Sequence, residues 1–123
     1  WREEDVPALE LLSVHLRAEL RVNIFQRYLE THPLFCLWGH LDGAAVRRLC
    51  HEAVTFTFLR RKDDLFVAGA KASSAYFLAS GTLHYMQDPD GSEGGGELLM
   101  KTVAEGVWMC ESALWTEWVH VGR

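Results

Sequence analysis

The sequence predicts an α+β fold, with helices in its first half and then short antiparallel strands that close into a small roll or barrel. Three observations carry this expectation. Apolar residues in the first third recur at three- and four-residue steps. At "VTFTFL" the period changes to two. Beyond it, short apolar runs are punctuated by glycines.

The elements follow in order. Leu9, Leu12, Leu16, Leu20, Ile24 and Tyr28 form one apolar stripe, and Ser13 is placed to cap a helix over about Val14–Thr31. Within it, "LRAELR" is a solvated face. Pro33 is expected to end the run, because a proline disfavours helix in the residue before it. "LDGAAVRRLCHEA" predicts the next helix, over Asp42–Ala53, with Asp42 as N-cap. Leu41 and Val46 have the spacing of a hydrophobic staple, and Val46, Leu49, Cys50 and Ala53 form the buried edge. "VTFTFL" alternates Val54, Phe56 and Phe58 against Thr55 and Thr57, as a strand with one buried face does. "RRKDD" is a polar turn. "LFVAG", "SAYFLASG" and "TLHYM" are further strands, the first two stopped by Gly69 and Gly81. "QDPDGSEGGG" is an acidic connection without phosphate-cradling glycine spacings, and "ELLMKTV" is the returning strand. Phe56, Phe58, Phe66, Tyr76 or Phe77, and Leu83 are the expected roll core.

Composition narrows the function. The chain has 123 residues, 49% hydrophobic and 24% charged, the size and balance of one soluble domain. A net charge of −5 argues against direct nucleic-acid binding. No apolar run reaches the length of a membrane span, and the opening residues lack a signal-peptide pattern. The chain begins at Trp1 and is expected to be part of a longer polypeptide. Cys36, Cys50 and Cys110 are scattered without a CxxC pair, which disfavours a disulfide framework or a zinc site. Cys50 and His51 are sequence neighbours and so do not face each other on a helix. Cys50 reads as a small core filler. No triad, metal motif or paired acids at catalytic spacing stand out, and an enzyme is not expected.

"KDDLFVAGAKASSAYFLASGTLHYM" resembles the core of cyclic-nucleotide-binding domains. Asp63 matches the turn aspartate of that family and Gly69 its first strand-ending glycine. Tyr76, Phe77 and Leu78 match the central strand, and Gly81 the next turn glycine. Lys62 replaces the turn glycine. Upstream, "LRAELRVNIFQRYLETHPLF", ending in the Pro33-Leu34-Phe35 turn, is similar to the leader before the roll in voltage-gated and nucleotide-gated cation channels, closest to the HCN and ether-à-go-go-type group. The resemblance implies an antiparallel, jelly-roll-like β-roll over residues 33–123, incomplete at its C-terminal end, preceded by channel linker helices in residues 1–32.

The resemblance also gives "GVWMCESALW" an address, the phosphate-binding cassette. Gly106 matches its first glycine, Met109 its aromatic, Glu111 its acid and Ala113-Leu114 its apolar close, with Ser112 between. In such a cassette, backbone N–H groups at a short helix start hold a phosphate, an arginine adds charge-assisted bonds, and the glutamate accepts a ribose hydroxyl. Glu111, a lone acid in an apolar stretch, is expected either to face that pocket or to sit at the helix start on the local dipole. Two departures stand out. Cys110 occupies the position of the close-approach glycine. Val119 or His120 lies where the arginine belongs, Arg123 being several residues late. Trp108, Trp115 and Trp118 are expected to pack at core and rim.

The resemblance implies a cytosolic regulatory domain of a voltage-gated cation channel, a potassium channel in first place, assembled as a homotetramer with the rest of the channel polypeptide and not itself touching the membrane. Binding of cAMP or cGMP is expected to be weak or absent, with no other cofactor and no metal. The alternative is a cyclic-nucleotide-sensing regulatory subunit or domain of a protein kinase or other signalling protein. The lid helix that folds over the pocket in this family would come after Arg123.

Overall fold

The structure, a computed structural model, describes residues 6–87 and 99–123. The described residues form an α+β arrangement, with three α-helices and three antiparallel two-stranded sheets among them. The chain divides into two compact units, Trp1–Phe58 and Leu59–Arg123. Among the described residues, no helix is long and apolar enough to cross a membrane.

The first unit holds α1 (Val14–Leu29), α2 (Pro33–Leu41) and α3 (Gly43–Glu52) behind a short 3-10 turn at Pro7–Leu11. Each helix starts where a side chain satisfies backbone donors that the helix leaves unpaired. The Leu16 N–H donates to Ser13 Oγ at 3.2 Å. The Leu34 N–H donates to His32 Nδ1 at 3.2 Å. Ala44 and Ala45 both donate to Asp42 Oδ1 at 3.1 Å. Both α1 and α2 pack on α3. The core is Val22, Phe25, Leu29, Phe35, Val46 and Cys50, the last with no exposed surface.

Several expectations fail here for identifiable reasons. The helix expected over Val14–Thr31 does stop short of Pro33, with His32 extended at φ −90°, ψ 126°, but the proline also opens a helix that was not expected. It sits at the first position of α2, where a proline has no hydrogen bond to lose and its φ is already helical. The buried stripe of α1 runs through Val22, Phe25 and Leu29. Leu20, Ile24 and Tyr28 are only half-buried and Leu16 is exposed, with the Phe56 ring reaching both Phe25 and Tyr28. Leu41 is 77% exposed and forms no staple with Val46: it closes α2 and turns away. Ala53 is exposed at the end of α3. "VTFTFL" makes no ladder. Its Phe56 ring lies 4.9 Å from Phe25 and 6.4 Å from Tyr28, Arg21 Nη2 donates to the Val54 carbonyl at 3.0 Å, and Phe56 and Phe58 remain largely exposed.

The second unit begins with the Arg60–Asp63 turn. The Asp63 N–H donates to the Arg60 carbonyl at 3.0 Å, and Asp63 Oδ2 accepts from the Arg60 N–H at 2.8 Å. "LFVAG" is irregular rather than a strand and ends in a turn at Gly69. Then come β1 (Lys71–Ala72), β2 (Tyr76–Phe77), β3 (Thr82–Gln87), β4 (Leu99–Ala104), β5 (Trp108–Met109) and β6 (Trp118–Val119). Pairing is nested: β3 with β4 innermost, β2 with β5 around it, and β1 with β6 outermost. Representative partners are Leu83 with Val103, Tyr76 with Met109, and Ala72 with Trp118. Past β6, Arg123 exchanges backbone hydrogen bonds with Met86 at 2.7 and 2.9 Å, and Gln87 bridges Gly122. The folded-back ribbon thus meets itself, its last residues paired with the far end of β3. The acidic connection falls almost wholly in 88–98, outside the described residues, as do the first two residues of "ELLMKTV". Around Phe66 gather Tyr76, Tyr85 and His120, with ring centroids at 6.2, 6.4 and 4.1 Å. Phe66, Tyr76, Phe77 and Leu83 are half-buried, and residues 54–86 contain no helix.

Candidate functional site

The segment singled out in the sequence is a strand, a turn and a short helix. Gly106 turns the chain from β4 into β5 at φ +85°, its N–H donating to the Leu78 carbonyl at 2.8 Å. The Leu78 N–H donates to Val107 at 3.0 Å, which fastens the entry to the end of β2. Met109 is half-buried opposite Tyr76. Cys110 then adopts φ 59°, ψ 29°, the left-handed conformation, and a 3-10 turn spans Glu111–Leu114. This turn is closed by Ala113 donating to Cys110 at 3.0 Å and by Trp115 and Thr116 donating to Ser112 at 3.1 and 3.0 Å. Left-handed backbone costs an L-residue about 1–2 kcal/mol and costs glycine almost nothing. Cys110 therefore has the backbone of a glycine and the side chain of a cysteine.

That side chain meets the returning strand. Cys110 Sγ lies 3.6 Å from His120 Nδ1. His120 is buried, its ring stacked on Phe66 with 3° between the planes. Its backbone is held on both sides, donating to Ala70 at 2.9 Å and accepting from Gly69 at 2.8 Å. Burial pushes the Cys110 thiol above its ordinary range. The thiol thus keeps its proton at neutral pH and is a weak donor placed within reach of Nδ1. This is a structural thiol–imidazole contact rather than an activated nucleophile.

Of the expected site residues, the structure joins Cys110 directly to His120 and strings Gly106, Met109, Glu111, Ser112 and Ala113 along one strand–turn segment. Glu111 is exposed at the first position of the 3-10 turn, so it does not carry the desolvation cost expected from its apolar neighbours. Ser112 and Ala113 are half-buried. Arg123 is anchored through its backbone to Met86, at the end of β3. Trp108 packs on Phe77 at 5.3 Å, whereas Trp115 is 63% exposed. No group of three metal-ligating side chains occurs among the described residues.

Two features went unseen in the sequence. The Phe66–His120 stack spans fifty-four positions, and only the β1–β6 register brings it together. At Gly122 a Cβ would fall on the Met86 carbonyl oxygen and 2.7 Å from the Tyr85 ring, so this glycine is required for the ribbon to close. Its signal was a lone glycine after the last short strand. Compared with known proteins, the sequence matches no family model and no curated protein.

Proposed function

We propose that the chain is a cytosolic regulatory domain of the cyclic-nucleotide-binding type from a voltage-gated cation channel, with a degenerate nucleotide pocket. One observation carries the reading. Among the described residues, positive φ occurs at Lys62, Gly69, Gly81, Gly106 and Cys110. These are the five positions at which the resemblance places glycines of the family, including both positions where this chain has something else. Turn glycines alone are common, but a lysine and a cysteine in glycine backbone geometry have no local sequence reason to be there. The nested ribbon that meets its own end is compatible with a roll, and His120 beside Cys110 is compatible with a basic residue of the family lying next to its cassette.

On this reading the pocket is poor for a cyclic nucleotide. The Cys110 side chain crowds the approach to a phosphate, and a buried imidazole in contact with a thiol supplies no permanent charge. Losing one charge-assisted pair costs about 2–3 kcal/mol, roughly a hundredfold in affinity. Titration calorimetry of the wild-type chain with cAMP and cGMP is expected to show no binding in the micromolar range. The double variant C110G/H120R, followed by amide chemical shifts at millimolar nucleotide, is expected to show changes confined to Gly106–Leu114 and residues 118–121. Micromolar binding to the wild type would refute the degenerate pocket. Absent or scattered shifts in the variant would refute the cassette assignment.

A further inference from the structure

We propose that the Arg60–Arg61–Lys62 turn is a cleavage site for trypsin-like endoproteases, one that divides the chain next to the boundary of its two compact units. The units meet in sequence at Phe58 and Leu59. From Val54 to Ala70 the backbone joins no helix or strand. Arg60, Arg61 and Lys62 are all exposed there, in the first of the two turns this segment makes, the second lying at Gly69. Lys62 is further held at φ +78°, a conformation that an L-residue leaves readily.

The contrast with the other basic residues makes the site selective. Arg17, Arg21 and Arg27 lie in α1, Arg47 and Arg48 in α3, Lys71 in β1 and Lys101 in β4. Cutting beside any of these requires a helix or ladder to open first, because a protease binds its substrate as an extended segment. Irregular exposed backbone opens at almost no free-energy cost, whereas packed elements open at up to the global stability. Residues 88–98 contain neither lysine nor arginine.

The protease class follows from the chemistry. A primary pocket carrying an aspartate takes the Arg or Lys side chain. Water adds across the scissile C–N bond, leaving a carboxylate on Arg60 or Arg61 and a new amino terminus on the following residue. Asp63 directly after Lys62 disfavours the third bond by repulsion from that acidic pocket, so the first two are cut first.

The test is limited trypsinolysis of the full chain, with fragments weighed intact over time. Cuts after Arg60 and Arg61 are expected at least about tenfold faster than any cut inside α1, α3 or the strands. Their rate is expected to be unchanged by urea below the unfolding transition, whereas cuts at Arg47, Arg48 and Lys101 accelerate. The variant R60Q/R61Q/K62Q should persist at times when the wild type is fully split. First cuts at Arg47, Arg48 or Lys101, or turn cleavage that rises with urea in step with the others, would overturn the proposal.

Discussion

Replacing Lys62 by glycine is expected to stabilise the second unit. Lys62 is exposed at the Arg60–Asp63 turn, with φ +78°. Its side chain buries little, so the substitution acts on the backbone. Relief of left-handed strain is worth about 1–2 kcal/mol. The extra freedom of glycine in the unfolded chain returns about 0.5–1 kcal/mol of this. The net gain is about 0.5–1 kcal/mol, or a few degrees in melting temperature for a unit of this size. Alanine is the decisive comparison, because it keeps the strain and removes the same side chain. At ordinary helical or extended positions glycine is less stable than alanine. Here the order should invert, with K62G above K62A by about 1 kcal/mol in urea denaturation. The same inversion is expected at Cys110, where C110G should exceed C110A, both losing the contact with His120. If K62A equals or exceeds K62G, the left-handed geometry is not a property of the folded chain, and the observation that carries the proposed function falls with it.

Two further outcomes test the packing. G122A should destabilise by about 1–3 kcal/mol, since the methyl group collides with main chain at Met86 and cannot be relieved by a rotamer change; hydrogen exchange at the Met86 amide should accelerate, and an unchanged denaturation midpoint would refute the closure. Cys50, fully buried, should react with a thiol reagent only as the protein unfolds, after Cys36 and Cys110. Burial raises the Cys50 thiol, with nearby Arg21 opposing more weakly, so the folded state holds that proton more tightly than the unfolded state. The stabilisation is complete below the unfolded thiol value of about 8.5 and is lost as pH rises through the folded value. C50A should remove this part of the alkaline loss of stability, and an identical pH profile for wild type and C50A would contradict it.

What was legible in the sequence was the part set by short-range chemistry. Ser13 and Asp42 announce helix starts because their side chains reach amides two or three residues on, a distance independent of the rest of the fold. β3 and β4 were visible for a similar reason, each being long enough to show its own pattern. Where reading failed, the deciding partner lay elsewhere. "VTFTFL" has the alternation of a strand, but alternation specifies a face and not a neighbour, and Phe56 found the Phe25 ring instead of a ladder. Pro33 is compatible with ending one helix or starting another. The residue-before-proline rule holds at His32, which is extended; what went unread is that the His32 side chain, accepting the Leu34 N–H, caps a new helix beginning at Pro33. At the candidate site, the strand–turn–helix order was readable from Gly106 to Leu114. The burial of His120 was not, since it depends on Phe66 lying beneath the β1–β6 register.

His120→Arg tests the charge logic of the site by itself. The native imidazole lies flat on Phe66 and its Nδ1 touches the Cys110 thiol. A guanidinium in that place keeps its charge, and an uncompensated buried charge costs about 3–5 kcal/mol. H120R should therefore unfold at markedly lower urea than the wild type. An anion that reaches the guanidinium supplies the missing partner, and at a hundred times its Kd it restores about 2.7 kcal/mol. Millimolar cAMP should then raise the unfolding midpoint of C110G/H120R, in which no side chain at 110 crowds the phosphate, and leave that of the wild type unchanged. Sodium chloride at matched ionic strength separates this from simple screening. Recovery with cAMP beyond that with chloride would place an anion site at the Cys110 turn. A destabilised variant that responds to both salts equally would mean that residue 120 faces only the Phe66 core, and the basic position of the cassette would have to be sought elsewhere in the chain.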